Sequence, residues 1–274
     1  MKRLAILMTV FNRKMTTLRC LQRVEEQQFD KNRYSVDFYL TNDGCTDGTP
    51  DAVREQFPNV YIIDGDGTLF WNRGMYAAWV EAAKHDYDYY FWLNDDTFIY
   101  ADTLARMLLS SENHGNKVII VGSTSAVGNH SVITYGGWTN GVLHKDLSKE
   151  QQCQTINGNI VLVPKSVFKV LGANDSFYRH ALGDMDYGLR AQRKGIEVWI
   201  SEGILGECDL HEHPTIWKDP TQPFKKRWRN FFSPLGNNPF EFFYFRYVNY
   251  GLLSACGTLV SNFIHFFFPR AWKI

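Results

Sequence analysis

Asn94-Asp95-Asp96 closes an aromatic run, Tyr89-Tyr90-Phe91-Trp92-Leu93. Neighbouring carboxylates at one point repel unless a cation or a donor-rich ligand neutralises them, and hard oxygen ligands of this kind suit Mg2+ or Mn2+ held together with substrate phosphates. A helix cap or a solvated turn would use the same residues. Asn42-Asp43-Gly44-Cys45-Thr46-Asp47-Gly48-Thr49 is a second candidate, where small residues let a ligand approach the backbone and Asp43 could accept a hydrogen bond from a nucleobase N–H; an Asp-Gly turn is the alternative. In Gly183-Asp184-Met185-Asp186, a carboxylate aimed at a hydroxyl could act as a general base, or could cap the helix expected over Tyr187 to Lys194. His211 and His213 flank Glu212; on a strand both rings would point to one face and could meet a metal, whereas beside Pro214 they could also lie in a surface loop.

The elements around these residues read as alternating strands and helices. Leu4 to Phe11, Val36 to Leu40, Val60 to Ile63 and Tyr89 to Leu93 are short apolar or aromatic runs, each ending in polar residues. Between them Thr16 to Gln28, Thr49 to Gln56 and Arg73 to His85 have helical spacing, with Asp47 or Thr49 able to cap the second. This pattern predicts an α/β fold with a mostly parallel sheet and flanking helices. Ligands of such sheets bind beyond the carboxyl ends of the strands, where Thr9 to Arg13, Thr41 to Gly48, Asp64 to Gly67 and Asn94 to Asp96 would converge.

The chain has 274 residues, 45% hydrophobic and 15% aromatic, which excludes disordered, collagenous and coiled-coil classes. Five widely spaced cysteines without a CxxC pair argue against a disulfide framework or a zinc ribbon and favour a reducing compartment. The zero net charge hides an asymmetry. Residues 214–274 carry eight Lys/Arg against two Asp/Glu, and 17 of the 42 aromatic residues, leaving a body of 21 Lys/Arg against 27 Asp/Glu. We therefore expect a body over 1–213 and a basic, aromatic, helical extension over 214–274.

Taken together and in order, Thr9-Val10-Phe11-Asn12-Arg13, Thr41 to Thr49, Trp92-Leu93-Asn94-Asp95-Asp96-Thr97 and Gly183 to Arg190 resemble the motifs of family 2 glycosyltransferases with the Rossmann-like GT-A fold. The stretch from Gly65-Asp66-Gly67 to Trp71-Asn72-Arg73-Gly74-Met75 is most similar to the bacterial rhamnosyltransferase-like branch. The resemblance covers about residues 1–213. It implies that Thr9, Phe11 and Arg13 line a nucleotide pocket, that Asp43 bonds the base of a UDP- or dTDP-sugar, and that Asn72 and Gly74 lie close to the donor. It also places Asp95 near the ribose and Asp96 on a Mg2+ or Mn2+ ion bridging the diphosphate, with His211 or His213 completing the metal shell. Asp184 matches the general base of an inverting transfer, and Asp186 is a cap or an acceptor contact. Asn94 stands where the family's DxD pattern has its first acid. Asn157-Gly158-Asn159 would border the acceptor, with Trp138 and Tyr178 as sugar platforms or core aromatics.

The resemblance thus predicts a metal-dependent enzyme moving a sugar, with rhamnose favoured, to a hydroxyl of a bacterial polysaccharide or lipid-linked glycan. A sugar-phosphate nucleotidyltransferase would show GxGxR after the first strand, where this chain has Phe11-Asn12-Arg13. A nucleotide- or glycan-binding module without turnover is the non-enzymatic alternative. The acidic body argues against nucleic acid as a partner. Tyr247 to Pro269 holds no Lys, Arg, Asp or Glu, yet Leu252, Leu253, Cys256, Leu259, Val260, Phe263, Ile264 and Phe267 form one stripe and Ser254, Thr258, Ser261, Asn262 and His265 another. That spacing predicts an amphipathic helix that meets a membrane surface or packs against protein, including a second copy in a homodimer, rather than a span. The expected location is cytoplasmic, peripheral on the inner face of the plasma membrane.

Overall fold

The computed structural model describes residues 1–211 and 215–269. Its first half is a run of β1 (Lys2–Val10), α1 (Lys14–Glu25), β2 (Tyr34–Asn42), α2 (Thr49–Gln56), β3 (Val60–Asp64), α3 (Phe70–Ala82) and β4 (Tyr89–Leu93). The four strands are parallel neighbours in the order β4-β1-β2-β3. After β5 (Phe98–Ile99) and α4 (Thr103–Asn113) come β6 (Ile119–Ala126), β7 (Asn129–Tyr135), β8 (Gly137–Thr139), β9 (Val142–Leu143), β10 (Gln151–Gln152), β11 (Thr155–Ile156) and β12 (Ile160–Pro164). Then follow α5 (Lys165–Leu171), α6 (Gly183–Arg193) and β13 (Val198–Glu207). β12 enters antiparallel between β4 and β6, and β13 runs parallel to β6. Small strands β8, β9 and β11 form a separate sheet.

Alternation along each strand divides the interior into two layers. Leu4, Ile6, Met8, Phe91 and Leu93 face α1 and α4, whereas Ala5, Leu7, Tyr90 and Trp92 face α3, α5 and α6 around Trp79 and Tyr187. The expected α/β class and flanking helices are thus present, and α2 and β4 have the expected bounds. α3 starts three residues earlier than its spacing predicts, because the Asp43 carboxylate accepts the N–H of Phe70 at 2.8 Å and satisfies one of the helix's first donors from outside it. α6 also starts early, at Gly183, which puts Asp184 and Asp186 inside its first turn instead of before it.

The extension consists of a 3-10 turn (Ile216–Lys218), α7 (Phe224–Phe231), α8 (Pro239–Tyr250) and α9 (Leu252–Phe267). Asn238 caps α8, its side chain accepting from the N–H groups of Phe240 and Glu241. Polar contacts tie α8 to the body: Arg179 donates to Glu241 at 2.6 Å, the Tyr244 hydroxyl donates to Asp175 at 2.9 Å, Asn249 donates to Asp186 at 2.8 Å, and Arg193 donates to the Asn249 amide oxygen. Asp186 thus anchors α8 and does not cap α6. Glu241 is buried, so its removal leaves the Arg179 guanidinium without its carboxylate. Glu241→Ala is expected to cost about 2–3 kcal/mol, a thermal midpoint lower by roughly 4–10 °C at this chain length. A melting curve within a degree of the parent would show that the pair contributes nothing.

α9 is amphipathic as its spacing predicts, and it packs against Trp217 and Phe231 through a face that holds Phe266, leaving most of the predicted stripe outside. Ala255, Asn262 and Phe266 are buried while Leu253, Val260, Ile264 and Phe267 face outward. Among the described residues no helix is long and apolar enough to cross a membrane.

Candidate active site

The tip of β4 places Asp95 and Asp96 beside the start of α1. Asp95 is buried, its Oδ2 accepting from the Thr17 hydroxyl at 3.2 Å and its Oδ1 from Arg13 Nη1 at 3.3 Å. The same Arg13 nitrogen donates to Asp96 Oδ2, so one guanidinium spans both carboxylates. Burial, and then the Asp96 charge, raise the Asp95 carboxyl above its ordinary range against the pull of Arg13. On its other side Asp96 meets the segment after β13: His211 Nε2 lies 2.9 Å from its Oδ2, and Cys208 Sγ lies 3.6 Å from its Oδ1.

Ligand atoms of Asp96, Cys208 and His211 lie within 4.8 Å of one another, and no other such group of three occurs among the described residues. Burial pushes the Cys208 thiol up to about 12, so at neutral pH it is a protonated donor that orients Asp96. The remaining donors, one carboxylate and one imidazole with positions left for phosphate oxygens and water, fit a Mg2+ or Mn2+ ion. His213 lies outside the described residues.

Asn94, at the position of the missing acid, has another task. Its Oδ1 accepts the indole N–H of Trp71 at 2.7 Å. Trp71 in turn covers Gly158, where an added Cβ would come within 2.3 Å of the indole ring. The residues 157–159 link the two chemical centres. Asn159 carbonyl oxygen accepts from the Asn94 N–H at 3.2 Å, and the Gly158 N–H donates to Asp184 Oδ2 at 3.0 Å. Adjacent residues therefore hold the acidic tip on one side and Asp184 on the other.

Asp184 sits in the first turn of α6, where its Oδ1 accepts from the Met185 N–H at 2.8 Å. Burial raises its carboxyl to about 6, with the Met185 and Gly158 N–H groups opposing. Leu182, just before the helix, has a φ of 73°, a left-handed conformation that costs a non-glycine residue energy and that the fold tolerates at this turn. Asp184 thus has the attributes of a general base: partial burial, a rigid mount and a proton affinity near neutrality.

Among the other expected residues, Thr9 is buried under α3, and a Cβ on Gly74 would come within 2.1 Å of the Thr9 hydroxyl oxygen. Gly74 therefore permits the close approach of α3 to β1. Phe11 is exposed at the strand end. Asn72 is fully buried, its amide donating to the carbonyls of Asp175 and Tyr178 and its Oδ1 accepting from Asn174. It abuts Gly183, so it braces the turn that delivers Asp184. The Asp43 carboxylate accepts the N–H groups of Gly67, Leu69 and Phe70 and so shapes the loop between β3 and α3. Tyr178 is buried in the core with Leu182 and Phe245, which removes it as a sugar platform. Trp138 is half-buried, its indole donating to Asn157 at 2.7 Å.

Thr17 and Cys208 touch the acidic tip and were not singled out from the sequence, whereas Trp71 and Gly158 lay inside motifs already noted. Thr17 lies one turn into α1, four residues after Arg13, and that helical spacing was the available signal. Cys208 had none, since it depends on a pairing across 112 residues.

Residues 5–169 match the model of glycosyl transferase family 2. No curated protein matches the sequence. The fold is similar to that of Staphylococcus aureus TarS 1-349 in complex with UDP, with a TM-score of 0.58 and 12% identity over 76% of this chain and 60% of that one. It is also similar to mannosyltransferase PcManGT from Pyrobaculum calidifontis in complex with GDP-Man and Mn2+, with a TM-score of 0.54 and 16% identity over 94% and 74% of the two chains. A third likeness is GalNAc-T7 with UDP, GalNAc and Mn2+, with a TM-score of 0.57 and 10% identity over 79% and 46%. The chain thus spans 60% of the length of the TarS fragment it resembles. With more than half its residues matched by the family model, and with a mostly parallel sheet and polar strand tips as predicted, the chain belongs to glycosyl transferase family 2 and has the GT-A fold.

Proposed function

We propose that the protein transfers a sugar, with inversion, from a UDP- or dTDP-sugar to a hydroxyl of a bacterial polysaccharide or lipid-linked glycan, working in the cytoplasm at a membrane surface. The observation that carries this reading is the link through Gly158 and Asn159, which joins the buried Asp184 carboxylate to the acidic tip of Asp95 and Asp96. Asp184 takes the proton of the acceptor hydroxyl as its oxygen attacks the anomeric carbon, and the nucleoside diphosphate departs on the opposite face. Asp96 and His211 would hold the divalent metal, which when bound neutralises charge on the diphosphate.

Arg13 adds a fixed positive charge at the same tip, and Phe11 offers an exposed ring at the mouth. Thr9, Asn72 and Gly74 set the floor of the donor site. Asp95 fixes Arg13 and stands at the ribose side. Asp43 borders the base, with three of its roughly four acceptor sites already used by backbone N–H groups. Rhamnose is the donor sugar we favour, on the likeness of residues 65–75 to the rhamnosyltransferase branch. Support for nucleotide-sugar use comes from the UDP and GDP-Man ligands of the similar structures.

The test is release of nucleoside diphosphate from a panel of UDP- and dTDP-sugars in the presence of Mn2+. Release from one donor, abolished by EDTA, is the expected result. No release from any donor, with the protein folded, would favour the binding-module reading.

A further inference from the structure

The outward side of α9 is apolar along its whole length, about 24 Å for 16 residues. Leu253 is 91% exposed, Val260 58% and Phe267 53%, with Ile264 between them, while polar Asn262 is buried. With exposed Cys256 these positions recur every three or four residues and form one stripe. α7 packs on the inner side of α9 at its carboxyl end: the rings of Phe224 and Trp228 lie 5.4 and 5.5 Å from that of buried Phe266, and both residues are themselves exposed beside it. On α7 the same segment carries Lys225, Lys226 and Arg229, all exposed, with Lys225 next to exposed Phe224 and Arg229 next to exposed Trp228. Between residues 215 and 269 the carboxylates are Asp219, which bonds Thr221 and Gln222 ahead of α7, and Glu241, which is buried against Arg179. The surface therefore offers apolar area, ring edges and an excess of cations over the one carboxylate left partly exposed, Asp219.

We propose that the α7 and α9 face docks the protein on an anionic lipid surface, with the α9 stripe lying in the plane of the interface and Lys225, Lys226 and Arg229 on the headgroups. A second copy is a poorer occupant, since a two-fold pair would set this cationic patch against itself. The proposal deepens the membrane clause of the functional reading but rests on the burial and charge of the extension alone. Vesicle binding can therefore fail without touching sugar transfer, and the reverse.

The test is flotation of the full chain with vesicles of phosphatidylcholine alone and of phosphatidylcholine mixed with phosphatidylglycerol. The protein is expected to float with the anionic vesicles, less so as salt is raised. Val260→Glu combined with Leu253→Glu should lower the partition coefficient by about tenfold or more, and Lys225→Glu with Lys226→Glu should remove the preference for phosphatidylglycerol. All four positions are exposed, so unchanged melting curves are expected for these variants. Absence of flotation with either vesicle, or undiminished flotation of the α9 variant, would overturn the proposal. So would a stable dimer that Val260→Glu dissociates while no vesicle is bound, which would assign the face to a second copy.

Discussion

Asp184→Asn is expected to lower turnover by about 10²–10⁴-fold while leaving nucleoside diphosphate binding within about twofold. An amide offers one oxygen where the carboxylate uses two, Oδ2 for the Gly158 N–H and Oδ1 for the Met185 N–H, so the variant gives up one of these bonds together with the proton acceptor. In the parent protein kcat/KM should fall with unit slope below pH about 6, because burial raises the Asp184 carboxyl to about 6 and its protonated form cannot accept the acceptor's proton. The variant should lack that limb. The same shift has a stability counterpart. A carboxyl whose proton affinity rises on folding, here from 3.8 to about 6, favours the folded state fully below the lower value and loses that contribution as pH rises through the upper one. The melting point of Asp184→Asn relative to the parent should therefore be highest at neutral pH and fall as pH falls toward 3.8, with the lost backbone bond subtracting a constant amount at every pH. Retained turnover with an unchanged acid limb would assign the base to another group.

Asp96→Ala should abolish the metal dependence of nucleotide binding and weaken Mn2+-supported binding more than about 100-fold. Asp96 is the one carboxylate that faces both His211 and the Arg13 guanidinium, so its loss dismantles the ion site while Asp95 continues to hold Arg13 through Thr17's neighbouring turn. The fold should survive, since Asp96 accepts no hydrogen bond from a backbone N–H among the described residues. EDTA should then make no difference to the residual affinity. Binding that stays metal-dependent in this variant would move the ion elsewhere.

The strand tips were legible because each apolar run ends in polar residues, and strand polarity alone brings those ends to one edge. Asp184 and Asp96 could be picked out by motif, and the Asp96–His211 approach follows once β13 is placed beside β6. What stayed hidden are contacts over long sequence separations. Nothing local to Asp43 shows that it fixes the start of α3, and nothing local to Asn94 shows that its amide oxygen serves Trp71. Asp186, near Asp184 in sequence and alike in type, was separable only once α8 brought Asn249 to it. α9 marks a different limit. Helical spacing identifies an apolar stripe but not the direction it faces, which depends on whether Phe266 and Ala255 on the flank find a partner first.

The most direct test of the central claim is calorimetric titration of the protein with UDP, dTDP, GDP and CMP, each with and without Mn2+. The account predicts preferential binding of a uridine or thymidine diphosphate that requires the metal. Binding of none of them, or equal binding with the metal and without it, would contradict a donor site built on Asp96 and His211.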